Sequence, residues 1–214
     1  MKKLFTILLI VSLVVFSFVG CEKDKSEEVI KNYEDFIKTE KAMTTFVAIA
    51  NKLSSSPGKT EISAKSISKD DLADVVFLAN KEKITVTEIL DAKGTIQSEI
   101  NNDEKNESLS ASVKVSGIEI KYKYTTSKEK EPKESTLTLN GTLLNNSKSV
   151  SGESTEKKAN MTFTTSGLVI NGTAYKDITF NALISEEDSK VTSATVDGKT
   201  VDIRLINANG SILD

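Results

Sequence analysis

The chain has 214 residues, with 28 basic and 31 acidic side chains and a formal net charge of −3. It contains no histidine, no tryptophan and a single cysteine. Ser-His-Asp and Cys-His catalytic arrangements, Cys/His zinc sites and an intrachain disulfide are therefore excluded. The mildly acidic balance, with no basic stripe, argues against a nucleic-acid partner.

The first 21 residues have the pattern of a secretion leader. Two lysines precede an apolar run at 4–19, and the chain turns polar directly after Cys21. The run is too short for a comfortable membrane-spanning helix. Its end, Phe18-Val19-Gly20-Cys21, resembles the lipobox of bacterial lipoproteins, with Phe18 at a position where leucine is usual. In that family a signal peptidase cuts before a cysteine that carries a diacylglycerol.

The resemblance implies that residues 1–20 are removed and that Cys21 is the lipid attachment site. Residues 21–26 would then form the lipidated cysteine and a short polar tether. Two or three acyl chains anchor a protein stably, so the membrane is the implied partner, and the protein is held on it without spanning it. The expected location is the bacterial cell envelope, outside the cytoplasm.

Residues 27–53 predict one amphipathic helix. Ser26 is a suitable N-cap, and Glu27 and Glu28 lie where the helix dipole favours negative charge. The stripe breaks at 39–41, where we expect the helix to bend or loosen. We expect the stripe to pack on the domain's own sheet, the alternative being a partner-binding or membrane-surface face. The apolar residues at helical spacing are Val29, Ile30, Tyr33, Phe36, Ile37, Met43, Phe46, Val47 and Ala50.

A second, short helix is predicted at 69–79. Ser68-Lys69-Asp70-Asp71 resembles a capping box. Apolar residues then follow at positions 72, 75, 76 and 79, which is helical spacing. The alternative is a strand, since residues 75–78 are also good strand material.

From Thr60 onward, polar and apolar residues alternate as in strands, and at Ser116-Gly117 the apolar positions change from odd to even. A straight strand cannot change parity without turning half of its apolar set to the other face. We expect a two-residue hairpin there, the alternative being a bulge at Gly117. The hairpin would pair Val115 with Ile118, Val113 with Ile120, Ala111 with Tyr122, and Leu109 with Tyr124.

The same argument predicts two further hairpins. One at Ser166-Gly167 would pair Phe163 with Ile170, and one at Asp197-Gly198 would place Ala194 opposite Val201 and Thr192 opposite Ile203. Polar stretches at 101–107, 127–134, 145–158 and 185–190 are expected to be longer loops.

The expected fold class is therefore α+β and mainly β, in a single domain over residues 27–214. Eight to ten strands would form an antiparallel meander with one apolar face. We expect this sheet to curl into a barrel or half-barrel with the helix at 27–53 packed on it.

The sequence predicts no catalytic, cofactor-binding or metal-binding residue. The acidic clusters Asp70-Asp71, Asp103-Glu104 and Glu186-Glu187-Asp188 lack calcium-loop spacing, which indicates solvated loop charge. Tyr122 and Tyr124 share the phase of the core positions, which favours burial over an exposed stacking platform. A serine activated by lysine stays open as a route to hydrolysis.

In composition and architecture the chain after the leader resembles surface lipoproteins of spirochaetes and similar bacteria. We expect a non-enzymatic envelope lipoprotein that acts as a binding or structural module, with an unidentified protein or apolar small molecule as its possible partner. The alternative is a carrier that holds a lipid or other apolar ligand in a β-barrel cavity. A filled interior would favour the first function and a hollow interior the second.

Overall fold

A computed structural model describes residues 27–53, 61–150, 158–185 and 189–208. These residues form an α+β fold that is mainly β, as predicted. The helices are α1 (Glu27–Leu53), α2 (Lys69–Asn80) and α3 (Ile203–Ala208), with a 3₁₀ turn at Ala64–Ser66. The strands are β1 (Glu61–Ser63), β2 (Thr85–Asp103), β3 (Ser108–Thr125), β4 (Lys133–Val150), β5 (Lys158–Ile170), β6 (Thr173–Ala174), β7 (Ile178–Ile184), β8 (Ser189–Val196) and β9 (Lys199–Thr200).

All of these strands belong to one antiparallel sheet. Its order is β1-β2-β3-β4-β5-β7-β8-β9, with β6 folded back on β5 as a short hairpin. The predicted meander is therefore confirmed. The predicted closure into a barrel is wrong, because β1 and β9 lie at opposite edges of the sheet.

Helix α1 covers the apolar face of the sheet, and its bounds match the prediction. It contacts β5, β7 and β8. The Phe36 ring meets the Phe180 ring edge-on at 5.8 Å between centroids, and Phe180 stacks on Phe163 at 4.9 Å. Aromatic pairs of this kind add to the hydrophobic gain of burial. Fully buried Phe36, Met43, Phe46 and Ile49 thus make the helix part of the core.

The helix is not interrupted at residues 39–41, where the sequence predicted a bend or loosening. Thr39 and Glu40 are instead buried, at 1% and 4% exposure. The Thr44 hydroxyl donates to the Glu40 carbonyl oxygen at 3.1 Å. The gap in the apolar stripe is therefore a polar element of the core.

Helix α2 confirms the second predicted helix. The Ser68 hydroxyl oxygen accepts from the Asp71 backbone N–H at 3.1 Å and donates to the Asp71 carboxylate at 2.6 Å. Ser68 thus makes the N-cap bond of the expected capping box, while the Asp71 carboxylate accepts from the Ser68 hydroxyl and not from its backbone N–H. The helix ends at Lys81, which adopts the left-handed conformation with φ 58°. Leu72, Val75 and Val76 face the core.

The predicted hairpins at Ser116-Gly117 and Ser166-Gly167 are wrong. Strand β3 continues through the first site and β5 through the second. Val115 lies opposite Ile96 on β2, and Ile118 lies opposite Leu139 on β4. The parity change is produced by a bulge, which was the alternative interpretation at Gly117.

The reason for the bulge lies in the neighbouring strands. Gly117 has φ +57°, and Gly94 on β2, with φ +100°, lies against it. The Gly117 N–H donates to the Asn140 side-chain oxygen on β4 at 3.3 Å. One extra residue on β3 is thus accommodated by a glycine on one side and an amide on the other. Gly141 and Gly167 continue the line of positive-φ glycines across β4 and β5.

The turn at Asp197-Gly198 is confirmed, but only the first of its predicted pairs forms. Val201 N–H donates to the Ala194 carbonyl at 2.9 Å. Ile203 does not lie opposite Thr192 because the chain enters α3 at that residue. The Asn207 side chain in α3 instead accepts from Val191 N–H at 3.2 Å and donates to Val191 C=O at 2.9 Å. This amide takes the place of a further strand at the sheet edge.

All four predicted loops are partly strand. Residues 101–103 belong to β2, residues 133–134 and 145–150 to β4, residue 158 to β5 and residues 189–190 to β8. Apart from Val150 these residues are polar, so their strand character comes from pairing with neighbouring strands and was not visible as apolar alternation. The loop at 127–134 is confirmed up to Pro132. Of the other predicted loops, residues 151–157 and 186–188 lie outside the described residues.

Candidate binding surface

The predicted lipid attachment site Cys21 lies outside the described residues, as do the leader and the tether. The described chain begins with α1 at Glu27. None of its helices is long and apolar enough to cross a membrane. The candidate site is therefore sought on the described residues that follow the predicted tether.

The line of bulges divides the outer face of the sheet, opposite α1, into two zones. On the side toward Thr85 and Thr125, charged side chains pair across β2 and β3. Lys93 lies 2.9 Å from Glu119, and Lys123 lies 2.9 Å from Glu88. Hydrogen bonds to these carboxylates raise the pKa of both lysines. This zone is a mixed-charge surface of the kind that keeps a sheet face soluble.

Beyond the bulges, the outer face carries mainly hydroxyl and amide groups, with scattered charged side chains such as Glu99 and Lys114. One row of directly opposed residues crosses six strands from β2 to β8. Neighbouring strands are about 4.8 Å apart, which sets the spacing between the members of the row. The row consists of Asn101, Ser110, Asn146, Thr162, Asn181 and Ser193.

The two halves of this row differ in how their polar groups are used. Toward β8, the Thr162 hydroxyl donates to the Asn181 oxygen at 2.5 Å, and the Asn181 amide donates to Ser193 at 2.7 Å. Toward β3, the side chains of Ser110 and Asn146 make no hydrogen bond to any other described residue. Their donors and acceptors remain free to meet another molecule.

These free groups line a groove of about 450 Å³. The groove lies across the ends of β2, β3, β4 and β5, on the outer face. Its charged members are one acid, Asp103, and one base, Lys148, so it has no net charge. Its volume is within the range of small-molecule sites. The outer-face residues that line it are Asn101, Asp103, Ser108, Ser110, Asn146, Lys148, Asn160 and Thr162.

Carboxylates near the groove have structural partners. The Asp103 carboxylate accepts from Lys105 N–H and Asn106 N–H, each at 3.1 Å, and from the Asn106 amide at 2.6 Å. The hydrogen bonds from Asn106 lower the pKa of Asp103. This arrangement closes the β2–β3 turn. Among the described residues no group of three or more acidic or thiol ligands is close enough together to hold a metal ion.

The other residues that the sequence marked lie away from the groove. Tyr122 is buried at 2% exposure, and its ring centre is 5.8 Å from that of partly buried Tyr124, so both belong to the core as predicted. Burial raises the pKa of Tyr122. Asp70 and Asp71 lie in the first turn of α2. The cluster at 186–188 lies outside the described residues.

Helix α1 carries a buried carboxyl group whose pKa is strongly raised. Burial raises the pKa of Glu40 from 4.5 to about 7, and the nearby Lys41 charge opposes this only in part. A buried carboxyl favours its neutral form because the low-dielectric interior solvates charge poorly. Glu40 therefore exchanges a proton near neutral pH.

Asn145 on β4 is a buried polar residue on the inner face of the sheet. It is 3% exposed, lies between Ala111 and Phe163, and its side-chain amide has no hydrogen-bond partner in the part of the chain that the structure describes. An unpaired buried amide costs about 1–3 kcal/mol.

We expect Asn145→Leu to raise the free energy of unfolding by about 1–2 kcal/mol, because leucine has a similar shape and no polar group. Urea denaturation measures the change. Asn146→Leu, on the exposed outer face of the same strand, is the control and should leave stability within about 0.5 kcal/mol. A loss of stability in Asn145→Leu would mean that this amide has a partner that the described residues do not include.

Sequence reasoning missed the groove because its residues on β2 and β4 fall in segments that were expected to be loops. A signal was present: serine and asparagine alternate with Leu109, Ala111 and Leu143 on the flanking strands. No protein-family model, no curated protein and no solved structure matches the chain.

Proposed function

We propose that the chain is a non-enzymatic lipoprotein of the bacterial cell envelope, anchored by lipid on Cys21, which displays a polar binding surface. The observation that carries the anchor is the sequence Met1–Cys21, whose only cysteine follows an apolar run and precedes a polar segment. Glu27 begins α1 shortly after that cysteine, which leaves residues 22–26 as the tether.

The packing of α1 supports a display module over a carrier. Phe36, Met43, Phe46 and Ile49 are at most 1% exposed and occupy the space that an apolar ligand would need on the inner face. In this proposal the open sheet curves around α1 as a half-barrel whose interior is filled by the helix. Binding then falls to the outer face.

The position of α1 relative to the groove supports the same function. Glu28, in its first turn, lies 3.1 Å from Lys199, which follows one end of β8. The groove lies on the opposite face of the sheet. The rows of paired residues that run from the groove across the sheet reach β8 at Lys190 and Ser193, farther from that end of the strand. An anchor just before α1 therefore leaves the groove accessible from outside.

Fractionation of cells that express Cys21→Ala tests the anchor. We expect the wild-type protein in the membrane fraction and the variant in the soluble extracytoplasmic fraction, or retained with an uncleaved leader. Cys21→Ser is a second test with the same expected result, because it nearly keeps the size of the side chain but has no thiol to form the thioether. Membrane association of both variants with a cleaved leader would contradict the lipid anchor.

A further inference from the structure

We propose that the groove on the outer face binds a short segment of neutral carbohydrate. This inference rests on the proposed display function and adds the chemical class of the ligand. The groove is concave, neutral overall, and rich in side chains that carry both donors and acceptors. Those three properties favour a polyhydroxyl ligand over an ion or an apolar ligand.

The polar groups fit hydroxyl recognition in detail. Asn146 and Asn160 each present a carbonyl oxygen and an NH₂ side by side, which suits two neighbouring hydroxyls that each donate and accept. The Asn101 amide, by contrast, already donates to Glu99 at 3.0 Å. Asn146 and Asn160 lie on adjacent strands, with Thr162 opposite Asn146. Ser110 faces Asn146 from the other side. The strand spacing of about 4.8 Å therefore places a series of hydroxyl-binding groups across the groove.

An apolar contact lies beside these polar groups. Leu144 precedes Asn146 by two positions on β4, faces the same side, and is 40% exposed. It can cover the C–H face of a sugar ring whose hydroxyls reach Asn146 and Ser110. Polar side chains on the strands nearer β8 already hydrogen-bond to one another across the sheet, as the Thr164 and Thr179 hydroxyls do at 3.2 Å. The free groups are thus concentrated at the groove.

The charges argue against other ligands of similar size. A phosphate or a carboxylate would meet Asp103 as well as Lys148 in the same row. A peptide recognised as an added strand needs an open strand edge, whereas the groove lies on a sheet face. A neutral saccharide is not repelled by Asp103 and does not need an open strand edge.

The test uses the full chain in a detergent without a sugar headgroup and titrates neutral cello-, chito- and malto-oligosaccharides by NMR. We expect binding of at least one series with a dissociation constant of about 1 mM or tighter, and shifts centred on Ser110, Asn146 and Asn160. No shift of these signals at about 10 mM of every series would overturn the inference.

A pair of variants tests the assignment of residues. Asn146→Ala combined with Asn160→Ala removes two hydrogen-bonding groups and should weaken binding about tenfold or more. Thr136→Ala, on the exposed outer face of β4 but on the mixed-charge side of the bulges, is the control and should bind as the wild type does. Equal affinity of the double variant and the control would overturn the proposal. If the double variant does not fold, the chemical-shift changes of the wild-type protein test the assignment: shifts that are not centred on Ser110, Asn146 and Asn160 would overturn it.

The carbohydrate titration and the fractionation experiment test the two proposals independently. Failure of carbohydrate binding with normal membrane fractionation would remove this inference alone. Carbohydrate binding by a protein whose Cys21→Ala form stays in the membrane would remove the anchor and keep the groove.

Discussion

Gly94→Ala is expected to destabilise the fold by at least about 3 kcal/mol, because the substitution combines backbone strain with a steric clash. The residue has φ +100°, and an added Cβ would lie 2.4 Å from the Gly117 carbonyl oxygen and 2.6 Å from the Ile118 Cα. Both contacts are with backbone, so no side chain can move aside to relieve them. Chemical denaturation followed by circular dichroism measures the loss.

Gly117→Ala is the matched control from the same bulge. Gly117 also has positive φ, at +57°, but a Cβ there has no neighbour within 4 Å. We expect a cost of about 1–2 kcal/mol from the left-handed backbone alone. Equal losses for the two substitutions would mean that Gly94 and Gly117 do not approach each other, and the bulge would then be wrongly placed.

Glu40→Gln is expected to stabilise the protein at pH 8 by up to about 3 kcal/mol, with almost no effect at pH 4. The native Glu40 pKa is about 7, against 4.5 for an ordinary glutamate. The native state therefore binds more protons than the unfolded state between these values. Stability from the neutral carboxyl is fully present below pH 4.5 and is lost as pH rises toward 7 and above. Glutamine keeps the shape of that carboxyl and cannot ionise.

The measurement is the difference in unfolding free energy between variant and wild type, followed from pH 4 to pH 8. Glu34→Gln, an exposed position on the same helix, is the control and should show a small and nearly constant difference. If the difference in unfolding free energy between Glu40→Gln and the wild type does not change with pH, the carboxyl is either solvated or paired with a cation.

The parts of the fold that depend on local sequence could be predicted. Helix α1 is specified by apolar residues at helical spacing, and α2 by the reciprocal Ser68–Asp71 cap. Both signals act within one or two turns of chain, so no information about distant partners is needed. Burial of Tyr122 followed from its phase within a single strand.

The errors concern features that depend on neighbouring strands. A parity change at Gly117 is compatible with a turn or with a bulge, and what favours the bulge is Gly94, some twenty positions earlier and directly alongside. The strand at 145–150 has little apolar alternation of its own and is ordered by its partners on β3 and β5. The groove combines residues of four strands, so it required the register of all four.

The proposed lipid on Cys21 determines whether the domain is held on the membrane, and mass spectrometry of the mature N-terminal peptide detects it. We expect a peptide that begins at Cys21 and carries a thioether-linked diacylglycerol. A mature chain that begins elsewhere, or an unmodified thiol at Cys21, would contradict it.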